Sequence, residues 1–424
     1  MPDIPLASAA RTLSRRLDEL GRVSDERGKL TRTFLSPAMR RANARVSGWM
    51  RAAGMKVRED GVGNLIGRLE GSAPEGRDRH GRGKTFLLGS HLDTVRDAGR
   101  FDGALGVLLA IEAVAELRRR RVGLPFAIEI LGFSEEEGVR FSSAYLGSKG
   151  YCGLLTSADL GRRDPRGISV REAIGAALGG PFKIPGRAHS PSDLLGYLEV
   201  HIEQGPVLEA RARPTGVVTG IAGQTRARIA FEGRAGHAGT TPMGLRRDAL
   251  AGAAEFVLAA EALALAGAPL VATVGGMAVA PGAANVVPGR AEFPLDIRHP
   301  RDAGRRAALR SLRAAGREIA RRRGLKFSFT VTQDNAAVAC SRRLTAVLER
   351  SVRARQGRCP ALASGAGHDA VVLSELTPVA MLFVRCRGGV SHHPGEHVGR
   401  RDLATALRIV VDFLGRLASG RQIP

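Results

Sequence analysis

The sequence predicts an α/β domain built on a mixed sheet, interrupted by an inserted α+β domain. Three observations predict this architecture: apolar strands alternate with amphipathic helices in the first half of the chain, polar clusters follow several of those strands, and from Gly216 the segments alternate apolar and polar residues instead. A length of 424 residues also exceeds what one ordinary core accommodates. We therefore assign residues 1–216 and 334–424 to the first domain and residues 217–333 to the insertion.

The first domain begins with helical patterns and continues with buried strands. Residues 37–53 carry apolar residues at helical spacing, and Gly54 follows at the position of a helix C-cap. Residues 85–93 form an apolar run that ends in polar residues, which predicts a buried strand, and residues 101–121 predict a helix with arginines in its last turn. Residues 124–138 repeat the pattern of a strand followed by carboxylates. We therefore expect a ligand site at the carboxyl edge of the sheet.

The insertion is predicted to combine antiparallel strands with helices. Residues 216–239 alternate apolar and polar side chains, as half-exposed strands do. After about Asn335 the chain returns to helical and buried-strand patterns. The other predicted elements of the insertion are a helix at 246–266, strands at 270–279 and 291–298, a helix at 301–324 and a strand at 326–332.

The composition is that of a globular protein, with 44% apolar and 25% charged residues. The longest stretch of low charge, residues 250–287, is interrupted by Glu255, Glu261 and two prolines, which favours a surface helix followed by a strand over a membrane span. The first 20 residues include charges and lack a continuous apolar region, which predicts an amphipathic helix rather than a signal peptide. The four cysteines are far apart, as in reduced proteins. We expect a cytoplasmic protein without a membrane partner.

The net charge of +23 raises the question of nucleic-acid binding. The basic residues are mostly arginines spread along the whole chain, and an aromatic content of 4% leaves little material for base stacking. We therefore expect no nucleic-acid partner and interpret the charge as a solvated surface that attracts anionic substrates. A non-catalytic basic binding protein is the alternative that this charge leaves open.

Two polar motifs precede the helix predicted at 101–121. His91 and Asp93 end a buried strand, where a histidine can ligate a metal and an aspartate two residues later can orient its ring. Asp102 stands where the helix begins, and a carboxylate there favours the helix dipole. Taken singly, a His-x-Asp pair is more often structural, and a lone carboxylate at such a position is more often an N-cap.

Three further motifs carry ligand-type residues at strand ends. The glutamates at 135–137 repel one another unless a cation or solvent screens them. His201 and Gln204 lie in an alternating strand that continues into a loop, and residues 389–396 contain two adjacent histidines. Together the five motifs supply three histidines and two or three carboxylates, which is the ligand set of a dinuclear hydrolytic site.

Six segments extend the motifs along nearly the whole chain, in the order GSHLDTVRDAGRFDG, EEEGVRF, LEVHIEQGPVLE, AGHAGTTPM, SGAGHDA and SHHPGEH. In these segments and their order the chain resembles the hydantoinase/carbamoylase branch of the di-metal amidohydrolases related to zinc exopeptidases. The resemblance implies an exopeptidase-like di-metal catalytic domain with a mixed sheet, and an inserted α+β domain that forms a lid and a dimer interface.

The same resemblance implies roles for the residues of the metal site. Asp102 bridges two divalent ions, Glu136 is the general base, and Asp93 lies behind the ligands. We set the register of the two glutamates by counting back from Gly138. Zinc or manganese is expected, and cobalt or nickel accepts the same donors. The implied ligands are His91, Asp102, Glu137, His201 and His392.

One alternative at the metal site concerns the histidine pair in residues 389–396. His393 stands where relatives often have asparagine, so either histidine of the pair is a candidate ligand. We assign His392, because it follows Ser391 directly, as in the family.

The resemblance also implies substrate-binding residues. His237 stabilises the oxyanion, and Asn285 and Arg298 hold the substrate carboxylate, a role that suits the planar fork of arginine. Gln204 and His368 are further candidates on the substrate side, with a loop hydrogen bond as the alternative for each. The implied partner is a second copy of the chain, paired through the inserted domain.

The expected reaction is hydrolysis of a ureido C–N bond in a small carboxylate substrate. The segments at 94–98 and 381–392 are most similar to those of allantoate amidohydrolases, so we expect allantoate to be converted to ureidoglycine, ammonia and CO2. N-carbamoyl-L-amino acids and β-ureidopropionate are the alternative substrates. A peptidase is less expected, because the segment HIEQGPVLE is typical of the ureido-cleaving branch.

Overall fold

The computed structural model describes residues 4–72, 83–179 and 186–419. The helices are α1 (Ile4–Leu20), α2 (Pro37–Ala52), α3 (Ala104–Arg119), α4 (Leu146–Cys152), α5 (Ser157–Gly161), α6 (Val170–Leu178), α7 (Val207–Ala210), α8 (Ala249–Ala266), α9 (Asp302–Arg323), α10 (Arg342–Gln356), α11 (Asp369–Leu373) and α12 (Arg400–Ala418). The strands are β1 (Lys56–Glu59), β2 (Leu65–Leu69), β3 (Thr85–His91), β4 (Ala127–Phe133), β5 (Leu194–Ile202), β6 (Thr215–Ile221), β7 (Gly223–Glu232), β8 (Gly236–His237), β9 (Val271–Thr273), β10 (Ala278–Ala280), β11 (Val286–Val287), β12 (Arg290–His299), β13 (Lys326–Asn335), β14 (Val338–Ala339), β15 (Ala361–Ser364) and β16 (Val379–Val384).

The chain forms two compact units. The second unit comprises Gly220–Ala339 together with Ala363–Gly367, and the remainder of the chain forms the first. The insertion predicted at residues 217–333 overlaps the second unit. The predicted insertion begins three residues before the second unit, ends six residues before Ala339 and does not include the separate segment Ala363–Gly367.

The predicted helix at 37–53 is confirmed as α2, and its ends have local causes. The Ser36 hydroxyl accepts a hydrogen bond from the backbone N–H of Met39, and Pro37 occupies the first helical turn. Gly54 follows the helix with a φ of 81°, a conformation that glycine adopts without strain. The apolar residues whose spacing predicted α2 form one face of the helix, and that face is buried.

The sheet of the first unit runs in the order β1-β2-β4-β3-β5-β16-β6. β4, β3, β5 and β16 are parallel to one another, whereas β1, β2 and β6 are antiparallel to their neighbours, so the predicted mixed sheet is confirmed. Every residue of β3 and β4 is buried, as their apolar runs predicted. The carboxyl ends of the four parallel strands lie at one edge of the sheet, which is where ligands bind in open α/β sheets.

The core of the first unit fixes this edge. Leu88 of β3, Leu108 of α3 and Leu407 of α12 belong to one cluster of fully buried side chains. α12 also packs against α1 and α10. α3 begins two residues after Asp102 and packs on β3 and β5, so the core holds the start of this helix against the strand ends.

The second unit has an antiparallel sheet in the order β10-β12-β7-β13, with β9 also paired to β12. α8 and α9 cover one face of this sheet, where Phe231, Phe256 and Phe293 pack together. The single strand predicted at 270–279 is wrong. The structure has two short strands there, β9 and β10, separated by a segment containing Gly275 and Gly276, which do not sustain a strand.

Among the described residues, α8 alone is long and apolar enough to cross a membrane by length and composition, and 28% of it is buried. Its small residues, including Gly252 and Ala253, pack with Phe256 against the sheet of the second unit. This packing agrees with the predicted surface helix, and one helix of this kind does not indicate a membrane protein.

Candidate metal centre

The carboxyl edge of the first sheet carries the residues that the sequence singled out. His91 is the last residue of β3, and His201 lies one residue before the end of β5. Glu136 and Glu137 lie in the loop that follows β4, and His392 lies in the loop that follows β16. Because β4, β3, β5 and β16 are neighbours in this order, their ends place these side chains side by side.

Asp102 enters the same cluster from the turn before α3. The N-cap residue of α3 is Gly103, and no side chain caps the helix, so the N-cap alternative for Asp102 does not hold. Gly103 adopts a φ of 63°, and a Cβ atom there would lie 2.5 Å from the ring of His91. A glycine is therefore required for Asp102 and His91 to approach each other.

The two carboxylate oxygens of Asp102 face different partners. Oδ1 lies 3.0 Å from Nε2 of His201 and 3.5 Å from Nε2 of His91. Oδ2 lies 3.2 Å from Nε2 of His392, which is 3.7 Å from Oε1 of Glu137. The ligand-type atoms thus form two triads that share Asp102, and within each triad all atoms lie within 4.8 Å of one another. Three imidazoles and two carboxylates arranged in this way fit two divalent cations bridged by one carboxylate.

Asp93 fixes the loop that carries the two glutamates. Its Oδ1 accepts the backbone N–H of Glu136 at 3.0 Å, and its Oδ2 accepts that of Glu137 at 3.1 Å. Asp93 Oδ1 also lies 3.4 Å from Nδ1 of His91. The hydrogen bond of His91 Nδ1 is with the Asp93 backbone carbonyl, at 3.1 Å. Asp93 therefore orients His91 mainly through its carbonyl and holds the backbone of Glu136 and Glu137 through its carboxylate.

Glu136 and Glu137 share the region next to His91. The three residues form a further group whose ligand-type atoms lie within 4.8 Å of one another. Glu137 additionally lies 3.7 Å from Nε2 of His392, whereas Glu136 belongs, among the described residues, only to the group around His91. The adjacent side chains thus have different surroundings, as their separate predicted roles require.

Burial and crowding shift the pKa values in this cluster. Burial raises the pKa of Asp102, but the imidazoles of His201 and His392 outweigh it and hold that pKa well below its usual value. Burial raises the pKa of Glu136 well above its usual value, and it raises that of Glu137 to about 7. Buried carboxylates this close together are costly without a compensating cation, so the donor set fits a metal centre.

Two residues that the sequence reasoning missed support Asp102. The hydroxyl of Ser391 donates to Asp102 Oδ2 at 2.8 Å. The carboxylate of Glu396 accepts the backbone N–H groups of Phe101 at 2.7 Å and Asp102 at 3.1 Å. Both residues lie in the segment SHHPGEH, so the signal was present, but only its histidines were singled out.

Gln204 lies against the same carboxylate. Its Nε2 donates to Asp102 Oδ2 at 3.0 Å and to the Ser391 hydroxyl at 3.1 Å. Gln204 and His392 adopt φ values of 56° and 55°, which are uncommon for residues other than glycine. Local backbone strain of this kind concentrates at functional sites.

The other two histidines of the motifs, His393 and His368, have different surroundings. His393 is exposed, and its Nδ1 accepts the backbone N–H of Gly395 at 3.0 Å, whereas His392 faces Asp102. His368 is only 1% exposed, and its ring lies edge-on to that of His201 with 4.6 Å between centroids. Burial lowers the pKa of His368 well below its usual value, so its imidazole is neutral.

Three predicted substrate residues belong to the second unit. His237 pairs with Val286 in a two-stranded ribbon, and the backbone N–H of Ala238 donates to the carbonyl of Asn285 at 2.9 Å, so His237 and Asn285 lie close together. Nδ1 of His237 accepts the backbone N–H of Gly239 at 3.1 Å, which leaves the proton on Nε2. Arg298 lies on β12, in the main sheet of this unit.

Comparisons with known proteins agree on one family. The model of peptidase family M20/M25/M40 matches residues 87–416. The chain is 40% identical over 431 residues to an allantoate deiminase of Arabidopsis thaliana, covering 94% of this chain and 81% of that protein. It is 39% identical over 410 residues to an N-carbamoyl-L-amino acid amidohydrolase of Geobacillus stearothermophilus, covering 96% and 98%. The crystal structure of a hydantoinase/carbamoylase family amidase from Burkholderia multivorans matches with a TM-score of 0.89 at 32% identity, covering 96% and 98%.

The two relatives and the solved structure match nearly the whole chain, and the family model matches residues 87–416, so every match includes residues of both units. The resemblance drawn from the six sequence segments is thereby confirmed, together with the exopeptidase-like fold that it implied. The protein therefore belongs to peptidase family M20/M25/M40, a family of metal-dependent hydrolases, and within it to the hydantoinase/carbamoylase amidases.

Proposed function

We propose that the protein hydrolyses a ureido C–N bond of allantoate at a centre of two divalent metal ions. The observation that carries the proposal is the position of the Asp102 carboxylate, whose two oxygens each face a separate group of ligand-type side chains. A relative 40% identical over 431 residues bears the name allantoate deiminase, which supports this choice of substrate.

The proposed ligands are those that surround Asp102, namely His91 and His201 on one side and Glu137 and His392 on the other. Bound zinc or manganese would polarise the ureido carbonyl and lower the pKa of a water molecule. Glu136 is the proposed general base, because its carboxylate lies beside His91 and Glu137. It takes a proton from the attacking water and returns it to the departing nitrogen.

The second unit supplies the proposed substrate contacts. His237 donates from Nε2 to the developing oxyanion, because its Nδ1 already accepts the N–H of Gly239. Arg298 and Asn285 hold the substrate carboxylate. For Gln204 and His368 the geometry favours a supporting role, since Gln204 donates to Asp102 and His368 packs on His201.

We infer a homodimer that pairs through the second unit. α8 exposes Leu258 and Leu265, which are 64% and 80% exposed, and Val271 of β9 is 52% exposed. The first two lie seven positions apart and therefore share a face of the helix. A second copy of the chain would cover these side chains across a two-fold axis.

We place the protein in the cytoplasm. All four cysteines are free, and three of them are buried, as in proteins that keep their thiols reduced. The proposed substrate is a small ureido carboxylate, and we propose neither a membrane nor a nucleic-acid partner.

The second candidate function is hydrolysis of N-carbamoyl-L-amino acids. The relative from Geobacillus stearothermophilus carries that activity in its name, and the match covers 98% of its length. Both substrate classes present a ureido group and a carboxylate, so the contacts described above serve either of them.

A substrate panel tests the proposal. We expect the protein, stripped with a chelator and reloaded separately with zinc, manganese, cobalt or nickel, to release ammonia from allantoate with a higher kcat/KM than from N-carbamoyl-L-amino acids, 3-ureidopropionate or a dipeptide. Elemental analysis should give about two ions per chain. Less than one ion per chain after reloading would contradict the metal centre. Preference for an N-carbamoyl-L-amino acid would establish the second candidate, and preference for the dipeptide would overturn both.

A further inference from the structure

A polar patch occupies the open face of the second unit's sheet. Asp296 and Arg298 are two residues apart on β12, so their side chains lie on the same face. Directly opposite them on β7 stand Arg226 and Gln224. The intervening residue Ile297 points to the other face, where it is fully buried in the core under the helices.

Asp296 is the centre of this patch. Its Oδ2 accepts hydrogen bonds from Gln224 Nε2 at 2.6 Å, Arg226 Nε at 3.1 Å and Arg298 Nη2 at 3.2 Å. Its Oδ1 accepts from Arg298 Nε at 2.9 Å. Partial burial raises the pKa of Asp296, but the bonds from Arg298 and its neighbours outweigh this effect and lower that pKa, so the carboxylate is ionised at neutral pH.

These bonds use a defined part of the Arg298 guanidinium. Asp296 accepts hydrogen bonds from Nε and Nη2, which lie on one side of the guanidinium. On the far side, Nη1 donates to the carbonyl of Gly365 at 2.7 Å. A guanidinium has five N–H bonds, of which three are thus engaged. The remaining two lie one on Nη1 and one on Nη2. If the Gly365 carbonyl takes the Nη1 hydrogen that points away from Asp296, these two form one parallel pair at the tip of the side chain.

We propose that Asp296 is a positioning residue, which together with the Gly365 carbonyl holds Arg298 so that this tip pair alone is presented to the substrate carboxylate. The inference rests on the proposed function, in which Arg298 anchors that carboxylate. A parallel pair of N–H donors matches the two oxygens of one carboxylate. Without Asp296 the long side chain regains its freedom to rotate, and the competing Arg226 is released as well.

The test is the variant Asp296→Asn in the metal-loaded protein. The two bonds from Arg298 go to different oxygens of Asp296. Asparagine replaces one of these oxygens by an NH2 donor and removes the charge, so it cannot keep both bonds. We expect KM for the carboxylate substrate to rise about tenfold to a hundredfold, the usual worth of a hydrogen bond to a charged group, while kcat is unchanged. For the matching carboxamide, which lacks the charge, KM should be the same in the variant and the wild type.

Two further variants make the result interpretable. Asp334→Asn is the matched control, because Asp334 lies on β13, on the other side of β7, and pairs with Arg305 rather than Arg298. Its KM should equal that of the wild type for both substrates. Arg298→Ala should raise KM for the carboxylate substrate at least as much as Asp296→Asn does.

The outcomes separate the inference from the proposed function. If Arg298→Ala raises KM and Asp296→Asn does not, the positioning role of Asp296 is overturned while the anchor stands. If Asp296→Asn raises KM equally for the carboxylate and the carboxamide, its effect is structural and the inference fails. If the wild type cleaves no ureido substrate with any metal, the proposed function itself has failed.

Discussion

Asp102 depends on residues that are distant in the sequence. The groups that hold its carboxylate and backbone come from two other segments of the chain. Gln204 is 102 residues away from Asp102, and Ser391 and Glu396 are 289 and 294 residues away. The residue types at the strand ends were predictable from local motifs, because histidines and adjacent carboxylates are rare in buried strands. Ser391 and Glu396 stand in the same motif as His392, but their role depends on tertiary contacts with Asp102 that the residue types alone do not reveal.

At this scale the sharpest prediction concerns Glu136. The substitution Glu136→Gln keeps the size and the hydrogen-bonding backbone of the residue but removes its capacity to take a proton. We expect it to lower kcat by about 10² to 10⁴, the usual span for a positioned general base, and to leave the metal content unchanged.

Steady-state kinetics and elemental analysis on the same preparation check this expectation. Glu318→Gln, on the exposed face of α9, is the control and should behave as the wild type. Loss of metal in Glu136→Gln would mean that Glu136 is a ligand, so the register counted from Gly138 would be wrong. Near-normal turnover would remove Glu136 from the role of base.

The elements of the fold follow from the sequence where apolar patterns are strong. The buried strands β3 and β4 were predicted from their apolar runs, and the amphipathic helices α2 and α9 from a periodicity that matches their burial. β9 and β10 were predicted as one strand, since periodicity alone gives no weight to a pair of glycines. The turn between β3 and α3 could not be predicted either, because its conformation depends on Gly103.

Gly103 provides a test at the scale of the element. In Gly103→Ala the new methyl group would lie within 2.5 Å of the His91 ring, at a φ of 63°. Either the ring or the start of α3 must shift, and both carry proposed ligands. We expect metal affinity to fall by about 10- to 100-fold, as when a residue that orients a ligand is changed.

Metal titration followed by calorimetry measures this change. Gly415→Ala is the matched control, because nothing lies within 4 Å of the Cβ atom added there. It should keep the metal affinity of the wild type. Unaltered affinity in Gly103→Ala would show that the turn tolerates the methyl group and that His91 is not held by it.

The division of the whole molecule was predictable only in outline. The change from buried to alternating strands predicted an insertion, but Ala363–Gly367 lies outside it and was missed. These five residues are too few to show a periodicity. Their place in the second unit rests on contacts, such as the bond from the backbone N–H of Ala222 to the carbonyl of Ser364 at 2.8 Å.

Subunit exchange tests the molecule as a whole. If the proposed dimer shares its sites, with Arg298 serving the metal centre of the other copy, then mixing the variants Glu136→Gln and Arg298→Ala creates one intact site in each mixed dimer. We expect activity, measured at substrate concentrations below KM, to rise from the residual level of either parent to a fraction of the wild-type value.

The pair Glu136→Gln and His91→Ala is the control for this experiment. Both changes lie in the first unit, so no mixed dimer regains an intact site and activity should stay low. Mass spectrometry of the intact assembly reports whether subunits exchange. Proven exchange without recovery in the first pair would show that Arg298 does not act across the dimer.

The separate segment Ala363–Gly367 bears on how the second unit can be inherited. Since residues on both sides of it belong to the first unit, the polypeptide passes between the units at four points, 219/220, 339/340, 362/363 and 367/368, and not at two as a simple insertion does. A recombination event that carried only residues 220–339 would leave behind Gly365, which accepts a hydrogen bond from Arg298. The second unit therefore consists of two separate chain segments and cannot be transferred as one continuous segment. Chimaeras with relatives that exchange only the longer segment would therefore pair Arg298 with the main-chain carbonyl of a pentapeptide from the other parent.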